Sequence, residues 1–205
     1  IAALGAQHVV ALFSDSTNAL KPGYTMSEKK IGETLDEIIK NARGRIIIAA
    51  FSSLIARIQQ ILEFAQKHKR QVFITGRSML ENMEIASNLG YLKYPNHLIH
   101  YITNLKGVPY NRVKILTTGS QGEDVSALTR ISLHDHPAVK LKKGDTVVIS
   151  ATPIVGNERA VNAVINNLCR HGARVIHSKT VDVHTSGHAC QEDLKLMITM
   201  VKPKY

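Results

Sequence analysis

The strongest constraint on this chain is a rhythm. Short apolar runs rich in β-branched residues alternate with longer segments whose apolar residues recur every three to four positions. The clearest run is Ile46-Ile47-Ile48-Ala49-Ala50, continuous and unalternated, as expected of a strand covered on both faces. It is followed by residues 53–67, where Ile55, Ile58, Leu62 and Ala65 share one helical face. The same pairing recurs. Residues 71–75 predict a strand before a helix that ends near Gly90, with Ser78 and Glu81 as its capping residues. Residues 113–116 predict a strand before a short helix over 124–131. Residues 145–149 predict a strand before a helix that Asn157 caps and Gly172 ends. Residues 174–176 predict a further strand, and residues 191–201 a closing helix. Near the start, residues 9–13 predict a buried strand. Thr25 and Glu28 form the capping-box spacing ahead of a helix over 27–42. Residues 91–110, with two prolines, read as loop with at most one short strand.

Five alternations of strand and helix predict an α/β fold, a three-layer sandwich around a mostly parallel sheet. In such sheets ligands sit beyond the carboxyl ends of the strands. Function is therefore sought in the polar loops there: 15–18, 51–53, 76–78, 117–123, 151–157 and 184–188. Hydrophobic residues make up 44% of the 205, enough for a sizeable core. Lys and Arg number 26 against 16 acids, a formal charge of +10, which suits a polyanionic partner, nucleic acid first. Cys169 and Cys190 form no CxxC pair, which suits a reducing, cytoplasmic setting. No apolar run approaches the roughly 20 residues of a membrane span, so no membrane partner is expected.

Two loops carry chemistry. T-T-G-S-Q-G-E, residues 117–123, follows a strand and can turn N–H groups toward an anion, though it is neither a Walker A loop nor G-x-G-x-x-G. A plain strand-to-helix turn explains it equally well. H-T-S-G-H, residues 184–188, brings two histidines around a Ser-Gly. Metal ligation, proton transfer, a phosphate cradle and a structural turn are all open. Zinc needs three or four converging ligands and this run offers two at most. Asp15, beside Ser16, Thr17 and Asn18, could bind metal, orient a histidine or cap a turn.

Taken in order, D-S-T-N at 15–18, G-R-I-I-I-A-A-F-S-S at 44–53, G-R-S-M at 76–79, T-G-S-Q-G-E at 118–123, P-I-V-G-N-E-R-A-V-N at 153–162 and H-T-S-G-H-A at 184–189 resemble the ribonuclease J family, β-CASP nucleases of the metallo-β-lactamase fold. The resemblance covers essentially the whole chain. It implies RNA cleavage by metal-activated water, from a 5′-monophosphate end or internally, with two zinc ions in the full-length parent, a homo-oligomer. Residues 1–20 are expected to be a fringe of the metallo-β-lactamase domain, 21–183 the β-CASP domain, and 184–205 a return segment. The family's H-x-H-x-D-H motif is missing here. Both ends look cut, so no metal ligand is assigned and the isolated chain is expected to be inactive.

Carried over by resemblance, His188 is the general acid or transition-state stabiliser and Asp15 its neighbour at the metal site. His184, Thr185, Ser186, Gly187 and His188 form the loop on the RNA phosphate. Ser53, Leu54 and Ile55 are a second contact stretch. Ser120 and Gln121 help hold the terminal phosphate, and Phe51 offers a face for a stacked base. A non-catalytic RNA-binding or protein-docking module is the alternative.

Overall fold

A computed structural model describes residues 1–205, which divide into two compact units: residues 1–27 with 185–205, and residues 28–184. No helix is long and apolar enough to cross a membrane.

In the larger unit, six strands form one sheet: β1 (Ile46–Ala50), β2 (Gln71–Thr75), β3 (Ile99–Tyr101), β4 (Val113–Thr117), β5 (Thr146–Ser150) and β6 (Arg174–His177). Their order is β3-β2-β4-β1-β5-β6, and every pairing is parallel. From β1 the chain crosses over to β2 on one side. From β4, which inserts between β2 and β1, it crosses to β5 on the other side. This reversal of direction makes a topological switch at the centre of the sheet.

The pleat divides the core in two. Ile46 and Ile48 point to one face, where they pack with the apolar stripes of α2 (Glu28–Asn41), α3 (Ile55–Lys67) and α4 (Arg77–Asn88). Ile47 and Ala49 point to the other, against α5 (Ala127–Ser132) and α6 (Glu158–Arg170). All five residues of β1 are buried, which is why the run needs no polar alternation. The three-layer α/β sandwich expected from the alternation is present, and its sheet is wholly parallel.

The smaller unit holds α1 (Ala2–Gly5) and α7 (Gln191–Val201), packed on each other. Residues 9–13 are not a buried strand. Val10 and Phe13 are exposed, the latter at 97%, although backbone bonds tie Val9, Val10 and Leu12 to Lys204 and Tyr205. An apolar run was present, but the smaller unit contains no sheet for it to join.

Local chemistry departs from expectation at two helix starts. Thr25 and Glu28 do not form a capping box. The Thr25 hydroxyl donates to Asp193 Oδ2 at 2.6 Å, while the Glu28 carboxylate is taken by Arg57. At α4 the N-cap is Gly76, not Ser78. Its φ of 102° is open to glycine, and a Cβ there would lie 2.5 Å from Thr118 Oγ1. Residues 91–110 do contain one short strand, β3, followed by a 3₁₀ turn over Ile102–Leu105.

Candidate functional site

The carboxyl edge of the sheet in the larger unit carries most of the residues singled out from sequence. Phe51 follows β1, Ser53 is exposed, Leu54 is the N-cap of α3 and Ile55 its first residue. The loop after β1 is tied to α4 by Asn82, whose side-chain N–H donates to Ser52 Oγ at 2.9 Å.

The loop after β4 is closed on itself. Ser120 and Gln121 are buried. The Gln121 carboxamide donates to the Thr152 carbonyl at 3.0 Å and accepts from Ile154 N at 2.8 Å, bracing this loop against the one after β5. The Gln121 backbone N–H donates to the Glu123 carboxylate, and that of Gly122 to the Gly119 carbonyl. Glu123 thus supplies the anion for an N–H that a phosphate could otherwise have used. Gly122, at φ 73°, lies against α6 so closely that a Cβ would come within 2.6 Å of the Ala160 backbone.

His184 closes this unit. Its ring lies 6.1 Å from that of Phe51. Burial, and then the positive charge of Arg57, hold its pKa below the ordinary histidine value, against the opposing pull of Glu28 and the Ser150 carbonyl. It is therefore neutral near pH 7, and its Nδ1 is buried without a partner.

What holds this end of the chain is a residue that the sequence reading passed over. Arg57 is fully buried. Its Nε and Nη2 donate to Glu28 Oε2 at 3.1 and 2.6 Å, and its Nη1 donates to Ser150 Oγ at 2.6 Å and to the Val183 carbonyl at 2.9 Å. Ser150 also donates to the Val183 carbonyl, at 2.6 Å. The residue just before His184 is thereby pinned twice. A signal was present, because the spacing Arg57, Ile61, Ala65 puts an arginine on the apolar face of α3.

In the smaller unit Asp15 and His188, 173 positions apart, are hydrogen-bonded through Asp15 Oδ2 and His188 Nδ1. The other carboxylate oxygen of Asp15 accepts from Thr17 N at 2.8 Å and Thr17 Oγ1 at 2.6 Å. The bond from His188, then those from Thr17, hold the Asp15 pKa well below the carboxylate range. An ionised carboxylate can only accept, so Nδ1 of His188 carries a hydrogen and Nε2 is the atom left to exchange a proton. About half of each side chain is exposed.

Ser186 braces the pair: its Oγ accepts from Asn18 Nδ2 and from the His188 backbone N–H, both at 3.1 Å. Thr185 donates to the Met26 carbonyl at 2.7 Å, and Gly187 is exposed, with open space where a Cβ would stand. The first N–H groups around the start of α7 are spent within the protein. Cys190 N donates to Asp193 and Thr25, Gln191 N to the Lys21 carbonyl and Glu192 N to that of Gly23.

These residues do not fit a zinc site. Asp15 and His188 are two donors engaged with each other, and nowhere do three or more His, Cys, Asp or Glu side chains converge.

A parallel sandwich with braced loops along its carboxyl edge, followed by a return segment bearing a carboxylate–imidazole pair, defines an α/β domain whose candidate functional residues lie in the loops after the strands. Residues 43–168 match the family described as ribonuclease J, beta-CASP domain, and the chain belongs to it. Across all 205 residues it is 45% identical to ribonuclease J of Thermus thermophilus, 44% to ribonuclease J of Synechocystis and 42% to ribonuclease J2 of Bacillus subtilis. The chain spans about a third of the length of these curated relatives, 36%, 32% and 37% respectively.

Proposed function

We propose that this chain is the RNA-holding β-CASP portion of a metal-dependent ribonuclease, with residues 1–20 and 184–205 serving as its junction to a metallo-β-lactamase domain. The observation that carries this reading is the Asp15–His188 pair. Its carboxylate is held ionised, and its imidazole, about half exposed, keeps Nε2 outside that bond. Hydrolysis of a phosphodiester breaks a P–O bond and leaves an oxygen that must take up a proton. Protonated His188 delivers that proton from Nε2, while Asp15 keeps the ring oriented through Nδ1. In this reading the RNA chain runs along the exposed Ser53 and the part-exposed ring of neutral His184. Phe51 offers a face for an unstacked base.

Zinc, expected as two ions in the full-length parent, belongs in this reading to residues other than those described. The isolated chain is inactive for that reason. The parent works in the cytoplasm as a homo-oligomer on RNA with a 5′-monophosphate end.

In the full-length parent, His188→Ala lowers cleavage of a labelled RNA by roughly 10²–10⁴-fold while the bound zinc content is unchanged. Undiminished cleavage would remove the proton-donor role. The +10 charge also suits a module that binds RNA without chemistry. A salt titration against 5′-monophosphate and 5′-hydroxyl RNA separates the two readings. Preference for the monophosphate supports a built phosphate site, and equal, steeply salt-sensitive binding supports a basic surface alone.

A further inference from the structure

The opposite end of the larger unit, where the strands begin, carries a groove that the proposed chemistry does not use. Its volume is about 470 Å³, within the size range of ligand sites. It is lined by the ends of α2 and α3 and the approaches to β2 and β4. Five cations face it: Lys40, Arg43, Lys69, Arg70 and Arg112. No Asp or Glu lines it. None of the five is in an ion pair. Asp36 on α2 is engaged by Lys67 and His68 instead.

Arg70 sets this groove apart from an ordinary basic surface. It is 6% exposed, and its guanidinium donates only to backbone carbonyls, to Gly44 at 2.9 Å and to Ala42. A nearly buried charge normally has an opposite charge beside it. Burial alone pulls its pKa down, with no carboxylate to offset that.

The ends of α2 and α3 account for only part of the excess. Two helix carboxyl termini present about −0.5 each, together roughly one charge against five. Only Lys40 lies in a last helical turn. About four positive charges are left uncompensated.

We propose that this groove is a second anion site that takes a run of closely spaced phosphates, either successive phosphodiesters of RNA or a free polyphosphate. The lining has no aromatic side chain except the His68 ring, which is held by Asp36. There is no platform for a stacked base, so the site reads phosphate and not sequence. The choice of RNA as the natural source rests on the function proposed above; the phosphate chemistry does not. RNA bound here is held at the end of the sheet remote from the carboxyl-edge loops. It contributes affinity without contributing to cleavage.

The test reverses three of the four exposed cations together, Arg43→Glu, Lys69→Glu and Arg112→Glu, leaving Lys40 on α2 and sparing Arg70, whose guanidinium holds two carbonyls. Binding of a fluorescent oligouridylate is followed by anisotropy against KCl concentration, and tripolyphosphate binding by thermal shift. The unmodified chain is expected to give the steeper plot of log K against log[salt]. The slope falls by about 2 in the variant, about 0.7 for each of three contacts. Tripolyphosphate is expected to raise the melting temperature of the unmodified chain, to displace the oligonucleotide and to do neither with the variant.

A variant that keeps slope and affinity overturns the proposal, as does a tripolyphosphate shift that is absent from the unmodified chain or equal in both. Tripolyphosphate binding that the variant loses, without oligouridylate binding by either protein, upholds the site and assigns it to free polyphosphate. Because the His188 experiment reads cleavage by the other set of residues, either idea can fail alone.

Discussion

Replacing Arg57 by methionine tests the account of how the chain is held before His184. Methionine keeps the length and apolar stem and removes the guanidinium. Four hydrogen bonds are lost, two to the Glu28 carboxylate, one to Ser150 Oγ and one to the Val183 carbonyl. Charge-assisted bonds are worth about 1.5–3 kcal/mol each, but their sum would overshoot. Glu28 is 37% exposed and regains water, and Val183 keeps its bond from Ser150. Removing one partner of a buried pair costs about 3–5 kcal/mol, and these two compensations place Arg57→Met near the lower end, at about 3 kcal/mol. With a urea m-value of roughly 2–3 kcal/mol per molar, the unfolding midpoint falls by about 1–1.5 M. Urea titration followed by circular dichroism measures it. The same change removes the charge that helps depress His184, so the His184 ring, followed by NMR, titrates at higher pH than in the parent. A midpoint shift of under about 0.3 M, or a His184 titration that does not move, would refute the reasoning.

Lys114 predicts the opposite sign. It is fully buried in β4 with one partner, the Ile61 carbonyl at 3.0 Å, and burial holds its pKa well below 10.5. The unfolded chain then binds the extra proton, so stability rises with pH across the window from that lowered value up to 10.5. Lys114→Met is expected to stabilise by about 1–3 kcal/mol, with the gain shrinking as pH rises, measured by denaturant midpoints at several pH values. For Asp15, whose folded pKa is lowered, the contribution of the pair is complete above the ordinary value of 3.8 and fades as pH falls below it. Carboxyl NMR should show Asp15 titrating below the other exposed acids, and in Thr17→Val it should titrate at higher pH. Gly76→Ala forces a side chain into a positive-φ position against Thr118 and is expected to cost about 1–3 kcal/mol, read as a lower melting temperature.

How much was legible in advance varied with the kind of signal. The interior strands β1, β2 and β5 were plain from their continuous apolar runs, because burial on both faces removes any need for polar residues. The edge strand β3 was not. It is three residues long, half-buried and paired on one side only, so its composition carries little trace of a sheet. Residues 9–13 show the converse, since β propensity without neighbours makes no strand. The capping-box spacing at Thr25 and Glu28 failed because stronger partners competed for both side chains, one of them 168 residues away. The Asp15–His188 bond spans 173 positions and no local period reports it. Only the ordered set of loop motifs pointed to it, whereas Arg57 could have been found from its place on a helical stripe.

One further consequence attaches to Arg57. The larger unit runs from Glu28 to His184, and this single guanidinium grips its first residue and its last but one. The polypeptide therefore enters and leaves the unit at one point, as a drawer has one open side. A sequence so arranged can be lifted between hosts without rethreading. Residues 28–184 joined end to end by a few glycines, and reopened at the exposed turn around Gly107, should fold as a circular permutant with the clasp intact.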